Sequence, residues 1–394
     1  MLTRLLLVAA AATASALPSS CRNNNNSVPG KMPNSNVSSV AKLLITSPGN
    51  ISIAEFDGTK FDIKSTKGVS GNPTWVAFSQ PHLYAVDENS DTTSLLKVDL
   101  AGNKMDQLSS TKGSSGVVHL EFTKDKSQMV GAGFGSSNID IFDISNGGLK
   151  FSNAIKSDDK PGPNTVRQEK PHPHQSVLDP SGRFMAVNDL GTDKILVLDT
   201  QKAFAIVNRV SAEPGSGPRH GAFFPAGANQ ATHYFVLCEI KNLVLVYALK
   251  YGGDKGIDFE LKQTISTFKS VEATPAEAAA GELVLAADNK NVYVSNRLTG
   301  GQTDNIANFR IDQNGGELKL ELVGFTSTGG LRTRMFSASL DGKHLFVGNQ
   351  DGALGVVALK RNTDGTLVEK PVASLDMSLF PGQLAGPAFV QQVA

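Results

Sequence analysis

The chain has 394 residues, and its 37 Lys plus Arg are balanced by 37 Asp plus Glu. That length exceeds the usual single core and leaves two ordinary domains or one repeat-built domain, while zero net charge without a Lys/Arg run argues against a nucleic-acid partner. Only 19% of the residues are charged and 38 are glycine, which suits a turn-rich β protein and excludes coiled coils and charged disordered tails. Two cysteines cannot make a disulfide scaffold or a Cys-based zinc site.

Met1 to Arg4 is a short basic start, Leu5 to Ala12 an apolar run, and Ala14-Ser15-Ala16 a small-x-small cleavage site. Together they predict a signal peptide over residues 1–16 and a secreted, extracellular protein. The apolar run is too short for a bilayer span, which needs roughly 20 residues, so no membrane partner is expected. Residues 17–40 form an Asn/Ser-rich leader too poor in apolar side chains to fold. Asn25, Asn36 and Asn50 each open an N-x-S sequon, and their clustering behind a signal peptide marks them as glycosylation candidates. Secretion would also permit a Cys21–Cys238 disulfide if the leader folds back; otherwise Cys238 is a buried small residue and Cys21 is free.

From residue 41 to the end one pattern recurs. An apolar strand is followed by a turn such as Asp-x-x-Gly, then by a second strand rich in Val, Tyr and Phe, then by a third closing on an apolar–Asp pair. Thr74 to Phe78, Leu83 to Val86 and Leu95 to Leu100 form one such unit; later units lead with strands at Val117, Ser176, Gly221, Glu282 and Met335. A more polar fourth strand follows, as in Lys60 to Lys64, Phe204 to Val210, Phe259 to Thr264 and Leu318 to Phe325, its alternation suiting one wet face. The period, roughly 40 to 58 residues, is that of four-stranded propeller blades. Six complete units follow a first, Leu43 to Phe56, that lacks a leading strand, and Pro387 to Val393 is a strand without a blade. The expectation is all-β: a seven-bladed β-propeller over 41–394, closed by pairing the C-terminal strand with the first blade so that no edge is left exposed.

A propeller site is sought among polar residues at the channel end of the strands. His172 and His174 alternate just ahead of the fourth unit's leading strand, and Arg219 and His220 stand at the same place in the fifth. Glu239 ends an apolar second strand, Arg297 ends the next blade's, and Asn188 and Asn349 fall near that position in two others. Histidines supply acid/base groups, and guanidinium forks hold carboxylates or oxyanions.

These segments carry a resemblance. His172-Pro-His174-Gln-Ser176 with Asp179-Pro-Ser-Gly-Arg-Phe184 and Asn188-Asp-Leu-Gly-Thr-Asp193 resembles the seven-bladed lactonase family, as do Gly217-Pro-Arg219-His220, Ser295-Asn-Arg297 and Ser339 to Asn349. That family includes propeller-type 6-phosphogluconolactonases and fungal 3-carboxy-cis,cis-muconate lactonizing enzymes. The resemblance implies His174, Arg219, Glu239 and Arg297 as catalytic residues, with His172, His220, Asn188 and Asn349 binding substrate. It implies no cofactor and no metal, and a monomer whose partner is a small-molecule lactone. In that reading Glu239 and His174 share the acid and base roles while the arginines hold the oxyanion. No G-x-S-x-G motif occurs, so a covalent acyl-enzyme is not favoured. For a secreted enzyme the leading substrate is an unphosphorylated aldonolactone, such as glucono- or cellobiono-lactone. Carboxymuconate cycloisomerisation and a non-enzymatic adhesin or antigen are the alternatives.

Overall fold

Valine-, isoleucine- and aromatic-rich segments, cut by Gly, Asp and Asn turns, pair into seven four-stranded antiparallel sheets in the computed structural model, which describes residues 40–313 and 316–394. Blades 2 to 7 run consecutively over 76–112, 117–156, 173–211, 218–266, 279–327 and 331–376, each with its first strand innermost. Blade 1 is composite. Its outer three strands are Ala41–Ser47, Asn50–Phe56 and Phe61–Gly68, and its innermost strand, Phe389–Gln392, comes from the opposite end of the chain. Leu43 pairs with Gln392 and Ile45 with Val390, so the ring closes as the unpaired first and last segments require.

Position within a blade explains composition. The second strand of blade 5, His233–Cys238, has neighbours on both edges and both faces, and Tyr234 to Cys238 is accordingly an unbroken buried apolar run. The outermost strand Phe61–Gly68 alternates half-buried and exposed side chains, as one solvated face demands. The core lies between blades: Leu43, Ile53, Leu83, Leu96, Phe346, Val356 and Phe389 make one cluster joining blades 7, 1 and 2.

The leading strands begin earlier than the sequence pattern predicts, at Pro173, Pro218, Ala279 and Leu331 rather than at Ser176, Gly221, Glu282 and Met335. The reason is a register shift near the start of each innermost strand in blades 3 to 7. The pairing passes over Val118, His174, Arg219, the pair Gly281–Glu282, and Arg334. A bulge interrupts the alternation of side chains, so hydrophobic periodicity locates the strand only beyond it. His174 and Arg219 therefore lie within strands, not ahead of them.

Phe389 is 1% exposed, and its ring sits 5.2 Å from that of Trp75. Phe389→Ala should cost about 3–5 kcal/mol, read as a lowered urea midpoint, because it hollows the contact that joins the closing strand to blade 2.

Candidate active site

The bulges build the site. A bulged residue leaves the ladder, and here that aims its side chain along the ring's axis. Thr74, Val118, His174, Arg219 and Arg334, with Trp75, His220, Met335 and Ala388, line a cavity with room for about one water molecule.

Local chemistry fixes two of these segments. Asp193 accepts the backbone N–H of Gly215 (2.7 Å) and of Gly217 (2.8 Å), anchoring the turn that delivers Arg219. Gly217 has φ +67°, and a Cβ there would sit 2.7 Å from Ile240, so only glycine serves. In blade 4, Asp189 accepts the N–H groups of His172 (2.8 Å) and Gly191 (2.9 Å) and a short bond from the Ser157 hydroxyl. A Cβ on Gly191 would lie 1.9 Å from the Lys170 carbonyl, which again requires glycine.

Glu239 is the electrostatic centre. Its Oε2 accepts from Arg219 Nε and from Arg297 Nη2, both at 2.9 Å, and its Oε1 pairs with Arg167. Burial alone would raise this carboxyl, but Arg297, Arg219 and Arg167 together overrule it and bring it down to about 2. Burial, followed by the charge of Arg297, pushes Arg219 down to about 9, and it keeps its proton at neutral pH. Arg219 is 2% exposed, well below the mouth where sequence reasoning put it, whereas Arg297, Arg334 and Arg167 are partly open. Across the cavity Arg334 pairs with Glu88 at 2.8 Å. Glu88 occupies in blade 2 the place of Glu239 in blade 5: each backbone N–H closes on the carbonyl two residues before the axial position, Asn72 O for Thr74 and Gly217 O for Arg219.

His174 lines the cavity, and among the described residues its Nδ1 has no hydrogen-bond partner. Burial, then the nearby Arg219, His220, Arg334 and Arg297, hold it well below the ordinary imidazole value and hence neutral. His220, 5.1 Å away between ring centres, bonds through Nδ1 to Glu282 Oε1 at 2.6 Å. Trp75, which lines the cavity, is backed by His119, their rings tilted at 33° with centres 4.1 Å apart. Among the described residues no group of three or more His, Cys, Asp or Glu side chains is arranged to hold a metal ion.

The four candidate catalytic side chains thus come together, with Glu239 bridging Arg219 and Arg297, and His174 sharing a cavity with Arg219. The arrangement changes one role: a carboxylate held near 2 by three guanidiniums is a clamp, not a proton carrier at neutral pH. Of the remaining candidates, only His220 lines the cavity. His172 turns aside, stacking on Phe134 at 4.1 Å and bonding to its carbonyl at 2.7 Å. Asn188 is a strut between blades, giving Nδ2–H to Gln175 (3.1 Å) and accepting from the Tyr234 hydroxyl (3.1 Å). Asn349 donates to the carbonyls of Thr328 (2.9 Å) and Leu354 (3.0 Å), inside blade 7. Cys238 is wholly buried, which pushes its thiol up to about 12; Cys21 lies outside the described residues, as do Asn25, Asn36 and the signal and leader segments up to Ser39. Sequence reasoning missed Arg334, Arg167, Glu88, Glu282, Trp75 and His119. Arg334 had a signal, since it precedes the last leading strand as Arg219 precedes the fifth.

Fold and site define a seven-bladed propeller with an axial cluster of arginines, carboxylates and neutral imidazoles. The chain belongs to the family described as lactonase, 7-bladed beta-propeller, whose model matches residues 37–377. It is 31% identical over 269 residues to a protein of Arthroderma benhamiae described as a probable 6-phosphogluconolactonase, across 66% of this chain and 67% of that one. Its fold is similar to that of the periplasmic gluconolactonase PpgL of Pseudomonas aeruginosa (TM-score 0.75, 23% identity, 90% of this chain and 99% of that one). A Lactobacillus plantarum protein is equally similar in fold (TM-score 0.75, 22% identity, 90% and 100% covered).

Glu239→Gln leaves three guanidiniums without their counter-charge and should cost about 3–5 kcal/mol in urea unfolding at pH 7. The folded carboxyl sits below its unfolded value, so its contribution is full above about pH 4.5 and lost as pH falls toward 2. The gap between wild type and variant should close over that range.

Proposed function

We propose that the protein is a secreted lactonase that opens an aldonolactone, such as glucono- or cellobiono-lactone, to its acid. The observation that carries this reading is the neutral, unpartnered imidazole of His174, which faces a water-sized cavity shared with Arg219 and Arg334. Family membership and the printed descriptions of the Arthroderma and Pseudomonas relatives support it. Secretion and glycosylation at Asn25, Asn36 and Asn50 belong to the same proposal and rest on the N-terminal sequence.

Hydrolysis requires a nucleophilic water, stabilisation of the tetrahedral oxyanion and a proton for the departing alkoxide. His174 takes the proton from water as its oxygen attacks the lactone carbonyl. Arg219 and Arg297, held by Glu239, present preorganised charge to the oxyanion, and preorganisation spares reorganisation at the moment of reaction. Arg334 and Arg167 extend the positive rim over hydroxyl or carboxylate groups of the ligand.

A second reading has its own support. Four guanidiniums face two carboxyl groups, Glu239 and Glu88, and that surplus suits a substrate with several carboxylates, as in carboxymuconate cycloisomerisation. Loss of diene ultraviolet absorbance would identify that reaction, and lactone opening without it favours hydrolysis.

In pH-stat assays on glucono-δ-lactone, corrected for spontaneous opening, His174→Asn should lower kcat about 10²–10⁴-fold. Equal rates in wild type and variant would favour the non-enzymatic platform. Neutral His174 is the active form and its folded value lies below 6.5, so wild-type kcat/KM should hold through pH 6.5 and fall only at lower pH.

A further inference from the structure

With Glu239 clamped, the departing ring oxygen needs another proton donor. We propose that His220 is that acid and that Glu282, behind it, is the positioning residue that stores and resupplies its proton. The proposal rests on the lactone-hydrolase reading above.

The geometry is specific. Glu282 Oε1 lies 2.6 Å from His220 Nδ1 and also accepts the Leu283 N–H at 2.9 Å, while Oε2 is buried and has no partner among the described residues. An ionised carboxylate would leave a charged oxygen bare in the interior. The neutral acid, donating its O–H to Nδ1, leaves only an unfilled carbonyl lone pair, which costs far less. That donation also selects the tautomer in which His220 carries hydrogen on Nε2, and among the described residues Nε2 makes no hydrogen bond. His220 lines the same cavity as His174, Arg219 and Arg334.

The pair is faced by the guanidiniums of Arg219, Arg297 and Arg334, the Glu239 carboxylate, and the imidazoles of His174 and His119. Burial nevertheless dominates. It raises Glu282 to about 8 and, with Arg219, Arg334 and Arg297, lowers His220 well below the ordinary imidazole value, so at pH 7 the carboxyl holds the proton.

The step balances. Collapse of the tetrahedral intermediate breaks the bond between the acyl carbon and the ring oxygen. The alkoxide takes hydrogen from His220 Nε2 while Nδ1 takes the proton of Glu282, leaving a carboxylate. The proton that His174 removed from water then passes across the cavity to His220 Nε2 while Nδ1 returns its proton to Glu282, restoring both groups, and the net change is lactone plus water to hydroxy acid.

Glu282→Gln tests this, because an amide that donates to Nδ1 preserves the tautomer, at the loss of the Leu283 N–H bond, and has no proton to give. Wild type should lose kcat on glucono-δ-lactone as pH rises through about 8, where the acid form of Glu282 is lost. The variant should lack that limb, with kcat lowered about 10²-fold and KM little changed. On dihydrocoumarin, whose phenolate departs without a proton, the two proteins should have similar rates. An unchanged alkaline limb, or the same deficit on both lactones, overturns the proposal. Infrared difference spectra at pH 7 need no turnover: a protonated-carboxyl stretch present in wild type and missing from Glu282→Gln supports the stored proton. Its absence from wild type removes the proposal even where hydrolysis holds, whereas a retained band without turnover of either lactone removes the hydrolase reading and the acid role with it, leaving only the stored proton.

Discussion

A sheet with an unpaired inner edge cannot be left facing the axis of a ring, and the whole molecule answers to that constraint. The three strands at residues 41–68 expose one ladder of backbone N–H and C=O groups, and the segment that satisfies it lies more than 300 residues later, at Phe389–Gln392. Closing the ring brings blade 7 against blade 1 and lets Phe346, Val356 and Phe389 share a core with Leu43 and Leu83. It also sets Arg334 of blade 7 within reach of Glu88 of blade 2, so the axial site is completed by the same closure.

Within the ring, the innermost strands converge on a narrow axis, and the bulge near their starts decides what fills it. Where the bulged residue is Val118, the axis receives hydrocarbon; where it is His174, Arg219 or Arg334, it receives chemistry. Buried charge is tolerated because each charged group has an oppositely charged partner, even though guanidiniums outnumber carboxylates. Glu239 takes three guanidiniums, Arg334 takes Glu88, and Glu282 avoids the need for a counter-charge by remaining neutral. The imidazoles are kept neutral by the same burial, which suits them to receive and pass protons.

Much of the site could be read from residue order. His174 and Arg219 stand out just ahead of leading strands and Glu239 and Arg297 at the ends of second strands, the lactonase resemblance joins them as one set, and the ring brings those places together. Asn188 and Asn349 resemble Glu239 in lying near strand ends, but the register puts Asn188 level with Leu237, then Asp189 and Asn349 level with Cys238, and only Leu190 and Gln350 level with Glu239. One residue for Asn349, and two for Asn188, separate the axis from the interior of a blade. Arg167 and Glu88 lie in loops where a charged side chain carries no signal, and Glu282 had been taken as the first residue of its strand when the strand begins three residues earlier.

The repeat of apolar strand, turn and apolar strand determined the number of blades, their order and the need for a closing strand, since burying two faces of each inner strand allows few alternatives. Residue types alone also supplied the imidazole, the carboxylate and the arginines. What only the tertiary structure decided was which of these groups share an environment. Three arginines around Glu239 turn a candidate base into a clamp, and a stacked Phe134 turns His172 away from the axis. Burial leaves a proton on Glu282 instead of on His220. Protonation depends on distance and desolvation, and neither is encoded in the spacing of residues along the chain.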